Sequence, residues 1–315
     1  MHWAPISNLH AAVLAPHVQP QLAQPPSRSV GALGDSFTDE YEFYPPDRSR
    51  ARNWVEILSA THRLNFGRFS TISRGEPRDQ GFAFNWARSD ATSSDLIQNQ
   101  LPGLAAQVAR GQVRYAWIFT GGNDFLFFLR DAQLSTATPM PELLASLAQV
   151  EQRAEANFST AVNVLLASSP KVRLVVATVP DVALLPVVVQ GANSTQSRAI
   201  VAATSQAIET YNAHIRGIAA GSNRIALVDL ASESSLLLSL KSSSVAFGGI
   251  TLDLTTPGDD YHHFFLADGI HIGTVGQGLI ADAFLEAIDT HFNASIPLLS
   301  DHQIVNFARA VQQRH

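Results

Sequence analysis

Two short stretches of the chain carry the residue types that acyl-transfer chemistry requires. Ser36 follows the apolar stretch 29–33 in the sequence GDSFTD, and Asp268 precedes His271 by three residues in DGIH. A serine hydroxyl becomes an effective nucleophile when a base removes its proton and a third group orients that base. Asp268 can accept the Nδ1 proton of His271, which leaves Nε2 facing the serine. A turn serine and a polar loop would explain the same residues, so both interpretations stay open at this point.

Hydrogen-bond donors for a developing oxyanion are also present. Asn123 lies in GGNDF, where Gly121 and Gly122 allow an unusual backbone path. Its side-chain amide and the backbone N–H of Ser36 are of the kind that stabilises negative charge in acyl transfer. The loop 84–96 follows another predicted strand and offers a further N–H. An ordinary asparagine in a glycine-rich turn is the alternative.

The positions of the histidines limit which of them could act as the catalytic base. The chain has 11 histidines, most of them in the predicted N-terminal lead-in, the C-terminal tail or helical segments, where a packed or solvated ring is the default. The exceptions are His262, His263 and His271. With Asp268 these three could form a zinc site, but adjacent histidines in an extended chain point in opposite directions. We therefore expect no metal, and the absence of a glycine-rich phosphate loop predicts no nucleotide cofactor.

Alternating strand and helix patterns indicate the scaffold for these residues. Apolar, β-rich runs occur at 29–33, 65–70, 114–121, 172–179 and 224–230. Helical periodicity occupies 51–60, 95–110, 140–168 and 195–220, and a further helix begins near Thr274, with Gln277 completing a predicted capping box. This pattern predicts an α/β fold: a three-layer α/β/α doubly wound sheet of about five parallel strands in the flavodoxin-like order 2-1-3-4-5. In that order Ser36 and Asn123 follow neighbouring strands and share one crevice.

Composition restricts the partners. The chain has 315 residues, a net charge of −6, 46% hydrophobic residues and no cysteine. These values predict a globular protein that does not act on nucleic acid and has no disulfide or thiolate metal site. No segment approaches the length of a transmembrane helix. We expect an extended lead-in over 1–27 and one domain over 28–315 that includes a helical C-terminal tail. The protein is expected to be cytoplasmic as the chain stands, or secreted if a leader is missing, and the oligomeric state is not predicted.

Four segments together resemble the sequence blocks of the GDSL/SGNH hydrolase family. These are GDSFTD, NWARSDATS, GGNDF and DGIH, in the family's order, within residues 29–285. The resemblance implies that Ser36 is the nucleophile, His271 the base and Asp268 its orienting partner. It also implies an oxyanion hole formed by Ser36, Asn123 and the residue at position 90. The family has glycine at that position, and this chain has Asp90.

The resemblance implies a serine esterase or lipase that uses an acyl-serine intermediate and acts on a small-molecule ester or lipid. A carbohydrate acetyl-esterase, a phospholipase or a thioesterase would use the same site. A catalytically impaired binding module is the non-enzyme alternative, because Asp90 departs from the family. Residues that flank the motifs are expected to contact the substrate: Asp35, Phe37, Gly122, Phe125 and Leu126.

Asp90 should retain a usable backbone N–H. Aspartate tolerates left-handed backbone geometry better than most residues. A carboxylate aimed at the oxyanion would oppose catalysis. We therefore expect the Asp90 side chain to turn towards Arg88 or solvent, or to cap the following helix.

Overall fold

Eight strands and ten α-helices are present in the part of the chain that the computed structural model describes, residues 28–44, 48–71, 80–134, 138–239 and 243–314. In chain order the strands are β1 (Val30–Leu33), β2 (Phe69–Ser70), β3 (Gly81–Phe82), β4 (Tyr115–Ile118), β5 (Arg173–Ala177), β6 (Ile225–Val228), β7 (Ser244–Phe247) and β8 (Ile250–Asp253). The helices are α1 (Trp54–Ala60), α2 (Ser93–Asp95), α3 (Leu101–Ala109), α4 (Gly122–Leu134), α5 (Met140–Ser168), α6 (Pro186–Gly191), α7 (Thr195–Ala220), α8 (Leu230–Ser239), α9 (Thr274–Phe292) and α10 (Asp301–Gln312).

The central sheet is parallel and has the spatial order β1-β4-β5-β6. Leu33 pairs with Ile118, Ile118 with Val176, and Val176 with Leu227, so the carboxyl ends of all four strands are aligned. The strands are almost wholly apolar because helices cover both faces. The loops that follow β1 and β4 therefore meet at one edge, as the predicted fold class requires.

The predicted second strand is reduced to isolated contacts. Residues 65–70 do not form a ladder beside β1. Asn65 makes a single parallel bridge to Ser29, Asn85 makes another to Ala32, and Phe69–Ser70 pairs instead with β3. The regular sheet thus has four strands where about five are predicted. The remnant still lies beside β1, which keeps the predicted neighbours of β1 in place.

Helices form a layer on each face of the sheet. On one face α1 and α9 pack together, and Trp117 of β4 lies 4.9 Å from Trp54 and 5.1 Å from Phe284 between ring centroids. On the other face α3, α5 and α7 pack together, with Tyr211 and Phe158 in the core. The predicted helices over 140–168 and 195–220 are confirmed as α5 and α7.

The predicted capping box at the start of α9 is wrong. Gly273 is the N-cap, and it has no side chain that could accept a backbone N–H of the helix. Thr274 and Gln277 instead accept backbone N–H bonds from the residues that open α1, Arg52 at 3.0 Å and Trp54 at 3.1 Å. These two side chains therefore join two helices, a function that a local sequence pattern does not reveal.

The described helices also bear on the membrane prediction. None of them is both long enough and apolar enough to span a bilayer. The predicted lead-in over 1–27 lies outside the described residues.

Candidate active site

The turn after β1 holds Ser36 at the carboxyl edge of the sheet. Gly34 opens this turn, and the buried Gln100 holds it from both sides, accepting its N–H at 2.9 Å and donating to its carbonyl at 2.9 Å. A Cβ at position 34 would lie 2.9 Å from the Thr38 hydroxyl, so glycine is required for this close approach. Gln100 ends a π-helical turn, Leu96–Gln100, and nothing in the sequence pattern points to its role.

Ser36 itself begins a short helical turn. The N–H groups of Thr38 and Asp39 both donate to the Asp35 carbonyl. Ser36 is buried, with 6% of its surface exposed. Its backbone N–H donates to no partner among the described residues. The turn therefore leaves available the donor that the sequence predicts for an oxyanion.

Asp268 and His271 form the predicted pair. The Asp268 Oδ2 lies 2.5 Å from the His271 Nδ1, and Oδ1 accepts the backbone N–H groups of Ile270 and His271 at 2.9 Å each. Burial on its own raises the pKa of Asp268, but the bonds and charge of His271, with the two N–H bonds, hold that pKa below its usual value. The ionised carboxylate thus fixes Nδ1 as the protonated nitrogen and leaves Nε2 unprotonated in the neutral ring.

The other ring nitrogen of His271 is buried without a partner. Nε2 is one of four buried side-chain nitrogen or oxygen atoms that lack a hydrogen bond in the described part of the chain. The His271 ring lies 5.9 Å from the ring of Phe37, the neighbour of Ser36, and 6.0 Å from that of Tyr41. No hydrogen bond joins Ser36 to His271 in the described structure. Apo sites often show this, because catalytic hydrogen bonds tighten when substrate binds.

Asn123, at the start of α4, contacts the segment NWARSDATS, residues 85–93, which we call the second block. Its Nδ2 donates one proton to the Ala91 carbonyl at 3.0 Å, and the amide has a second proton for another acceptor. Gly121 precedes it with a φ of 108°, and a Cβ there would lie 2.5 Å from Tyr211. The predicted need for glycine before Asn123 thus has two causes, backbone conformation and close packing.

Asp90 adopts the left-handed backbone that the family's glycine would adopt freely. Its φ is 63°, its side chain is exposed, and its backbone N–H has no partner among the described residues. Thr92, rather than Asp90, caps α2. The exposure of Asp90 agrees with the expected orientation towards solvent, and capping of the following helix is the expectation that the structure contradicts.

Asp35 places a second carboxyl beside the nucleophile. Only 4% of its surface is exposed, its Oδ1 accepts the Phe37 N–H at 3.0 Å, and its Oδ2 lies near Gly122. Burial, aided by the charges of Asp124 and Asp90, raises its pKa to about 7. Near neutral pH this carboxyl is therefore partly uncharged.

The predicted substrate contacts divide into two groups. Asp35, Phe37 and Gly122 lie at the turn after β1 or at the start of α4, close to the motif residues. Phe125 does not, because its side chain has no exposed surface and packs 5.8 Å from the Tyr211 ring. Leu126 is partly buried and packs against the same core. The prediction for Phe125 is therefore corrected: it belongs to the core.

The other histidines of the 259–273 segment have partners of their own. His263 Nδ1 contacts the Thr256 carbonyl at 2.9 Å, and His262 Nδ1 lies 3.3 Å from Asp260. Among the described residues no group of three or more potential ligands has the geometry of a metal site. His263 Nε2 also lies 3.8 Å from the same Asp260 oxygen, whereas His271 pairs with Asp268, so His271 is not grouped with the other two histidines.

An apolar segment borders the site on the side of β5. We call residues 179–191 the post-β5 segment. Val182 lies 3.8 Å from the Cβ position of Gly122, and Pro186 lies 3.7 Å from that of Gly269, inside the Asp268–His271 turn. Three large apolar side chains of this segment are exposed: Leu184, Val187 and Val189.

The family model for the GDSL-like Lipase/Acylhydrolase family matches residues 32–279, more than half of the chain. The chain belongs to this family. Among curated protein sequences, none matches the chain significantly.

Solved structures of lipases and esterases have a similar fold. A lipase from a goat rumen metagenome is 13% identical, with a TM-score of 0.51, 82% of this chain covered and 97% of that one. Phospholipase A1 from Streptomyces albidoflavus is 16% identical, with a TM-score of 0.45 and coverage of 82% and 99%. A family 3 carbohydrate esterase from Clostridium thermocellum is 17% identical, with a TM-score of 0.41 and coverage of 86% and 99%. Of these three, the goat rumen lipase has a TM-score above 0.5, and at 13% identity its likeness shows the fold alone.

Proposed function

We propose that the protein hydrolyses carboxylic esters through an acyl-serine intermediate, with Ser36, His271 and Asp268 as the catalytic triad. The observation that carries this proposal is the pairing of His271 Nδ1 with Asp268 at 2.5 Å while Nε2 stays buried and unpartnered. A buried imidazole nitrogen without a hydrogen-bond partner costs free energy, and a catalytic role explains why the fold retains it. The ring centroids of Phe37 and His271 are 5.9 Å apart, which supports a position of the His271 ring beside the turn that carries Ser36.

Acylation begins when the Ser36 Oγ attacks the ester carbonyl carbon. His271 Nε2 takes the hydroxyl proton, and the Asp268 carboxylate stabilises the resulting imidazolium. The carbonyl electron pair moves to oxygen and forms a tetrahedral oxyanion. When this intermediate collapses, the C–O bond to the alcohol breaks, and His271 returns its proton to the departing alkoxide. The acyl group remains on Ser36.

Three donors would stabilise the oxyanion in this proposal. They are the backbone N–H groups of Ser36 and Asp90 and the second amide proton of Asn123. Both backbone groups are unpartnered among the described residues, which supports their availability. The exposure of Asp90 supports an enzyme over an impaired binding module, because a solvated carboxylate opposes a nearby oxyanion less than a buried one does.

Deacylation repeats the same proton transfers with water. His271 takes a proton from a water molecule as the water oxygen attacks the acyl carbon. When the second tetrahedral intermediate collapses, the bond to Ser36 Oγ breaks and His271 returns the proton to that oxygen. The acid leaves, and the triad returns to its starting state. No step requires a metal or an organic cofactor.

The substrate is proposed as an ester or lipid, which is the class that the family suggests. An acetylated carbohydrate, a phospholipid or a thioester would undergo the same two steps. A panel of p-nitrophenyl esters from acetate to dodecanoate, with acetylated xylan and a phospholipid, distinguishes these classes by kcat/KM.

Replacement of the nucleophile tests the proposal. Ser36→Ala should lower kcat on p-nitrophenyl acetate by roughly 10⁴-fold or more and abolish labelling by a fluorophosphonate probe. Ser168→Ala, on the exposed end of α5, is the matched control and should behave as wild type. Activity of Ser36→Ala within tenfold of wild type would exclude the triad.

A further inference from the structure

A hydrogen-bonded network lies behind the second block. The Asp39 Oδ2 accepts the backbone N–H of Ser89 at 2.8 Å and also the hydroxyl of Tyr44. Asp39 is almost fully buried, with 2% of its surface exposed, and its own N–H donates to the Asp35 carbonyl. The carboxylate therefore connects the turn that carries Ser36 with the residue that precedes Asp90.

Arg48 completes this network from the other side of Tyr44. Its guanidinium carbon lies 3.9 Å from the centroid of the Tyr44 ring, and its Nη2 donates to the Ser89 hydroxyl at 2.8 Å. A cation so close to an aromatic face holds the ring in place. Ser89 is thus fixed twice, by its backbone N–H to Asp39 and by its hydroxyl to Arg48.

The backbone of Asp90 needs such support. A non-glycine residue at a φ of 63° is strained, and strain persists where surrounding contacts determine the conformation. The peptide between Ser89 and Asp90 carries the N–H that has no partner among the described residues. Its direction follows from the torsions of Ser89, which the two bonds restrict.

We propose that Asp39, with Tyr44 and Arg48, is a positioning residue that aims the Asp90 N–H at the oxyanion. This proposal rests on the proposed function. Asp39 is not proposed to touch the reacting atoms, and it acts through its bond to Ser89. A donor that is correctly aimed contributes in the transition state more than in substrate binding, so the network should affect kcat more than KM.

Variants of Asp39 separate positioning from simple stability. Asp39→Ala should lower kcat on p-nitrophenyl acetate by about 10- to 100-fold, with KM changed less than about threefold. Asp39→Asn retains an oxygen that can accept both bonds and should recover kcat to within about threefold of wild type. Asp282→Ala is the matched control, because Asp282 also accepts a backbone N–H, from Leu299 at 2.7 Å, far from the site. It should leave kcat unchanged.

Hydrogen exchange provides a readout that does not depend on catalysis. The Ser89 amide should be protected in wild type and Asp39→Asn and should exchange at least tenfold faster in Asp39→Ala. Tyr44→Phe keeps the ring over Arg48 and removes one bond to Asp39. It should lower kcat less than Asp39→Ala does, and it serves as the second variant if the alanine protein does not fold.

Three results would overturn the inference: a full kcat in Asp39→Ala, a rise in KM alone, or no recovery in Asp39→Asn. An unchanged exchange rate at Ser89 would also overturn it. Failure of the proposed function looks different, since Ser36→Ala would then retain activity while the exchange experiment still showed whether Asp39 holds the loop.

Discussion

The two sides of the candidate site are built from opposite kinds of contact. On the second-block side, Asp39, Tyr44 and Arg48 fix Ser89 through directional hydrogen bonds and a stacked cation. On the other side, the post-β5 segment meets Gly122 and Gly269 through aliphatic contacts. Sixteen consecutive residues, 182–197, carry no charged side chain.

This difference indicates that the two sides of the site have different functions. Hydrogen bonds weaken steeply when their geometry is distorted, so a bonded network can fix the direction of an N–H. Apolar contact is non-directional and depends on the area removed from water. We call the side of Asp39, Tyr44 and Arg48 the polar side and the side of the post-β5 segment the apolar side. Changes on the polar side should therefore alter the rate of the chemical step, and changes on the apolar side should alter the preference among substrates.

Loss of the proposed triad should have the largest effect on activity, larger than any change on either side of the site. His271→Ala should lower kcat by roughly 10⁴-fold, because it removes the base that is proposed to take the Ser36 proton. His263→Ala is the matched control from the same segment, and it should keep kcat within about threefold, since its ring contacts Thr256. Steady-state kinetics on p-nitrophenyl acetate measure both. Equal losses in the two variants would remove the distinction between these histidines.

Substitutions at Asp90 test the donor on the polar side. Asp90→Pro deletes the N–H and should lower kcat by roughly 10²-fold. Asp90→Gly keeps the N–H and relieves the strain of a φ of 63°, so it should retain or raise kcat. The comparison is made at matched circular dichroism and thermal stability. A proline variant as active as wild type would mean that the second block supplies no donor.

Asp35 gives the polar side a pH dependence. Its pKa of about 7 in the folded chain exceeds the ordinary 3.8, so folding takes up a proton between about pH 4 and 7. The stability from this group is complete below pH 4 and is lost as the pH rises through 7. Each pKa unit corresponds to about 1.4 kcal/mol. Relative to wild type, Asp35→Asn should therefore gain free energy of unfolding as the pH rises from 4.5 to 8.

Urea unfolding of the two proteins at both pH values measures this gain. Asp131→Asn, at an exposed carboxyl at the far end of α4, is the control for replacing a carboxylate by an amide away from the site. A constant difference between Asp35→Asn and wild type across this range would contradict the raised pKa of Asp35.

The smallest effect is expected on the apolar side. Val187→Ser exposes a polar group beside the Asp268–His271 turn and should lower the kcat/KM ratio of octanoate to acetate p-nitrophenyl esters by about fourfold. That is the equivalent of one buried methylene, about 0.8 kcal/mol. Val164→Ser, at a half-exposed position on α5, should leave the ratio unchanged. An equal fall in kcat for both esters would assign Val187 to the chemical step. It would contradict the prediction that the apolar side affects only the preference among substrates.

Much of the fold follows from the sequence alone. Apolar runs predicted β1, β4, β5 and β6, and helical periodicity predicted α5 and α7 with their bounds. Both signals are local, since side-chain spacing repeats along a single element. The predicted second strand failed because Phe69–Ser70 pairs with β3 instead, and a choice of pairing partner is not encoded in the periodicity of one segment.

The candidate site divides in the same way. The sequence by itself placed Ser36 and Asn123 after strands and Asp268 three residues before His271, because a short spacing and the common edge of a parallel sheet bring such residues together. Only the tertiary structure decided the partners that are distant in the chain. Gln100 holds Gly34 from 66 residues away, and Asp39 holds Ser89 from 50. Phe125 is the opposite case. Its position two residues after Asn123 predicted a contact with the substrate, but its side chain is buried against Tyr211 instead. Such pairings depend on how separate elements pack, and that packing is determined by the whole core rather than by any local pattern of residues.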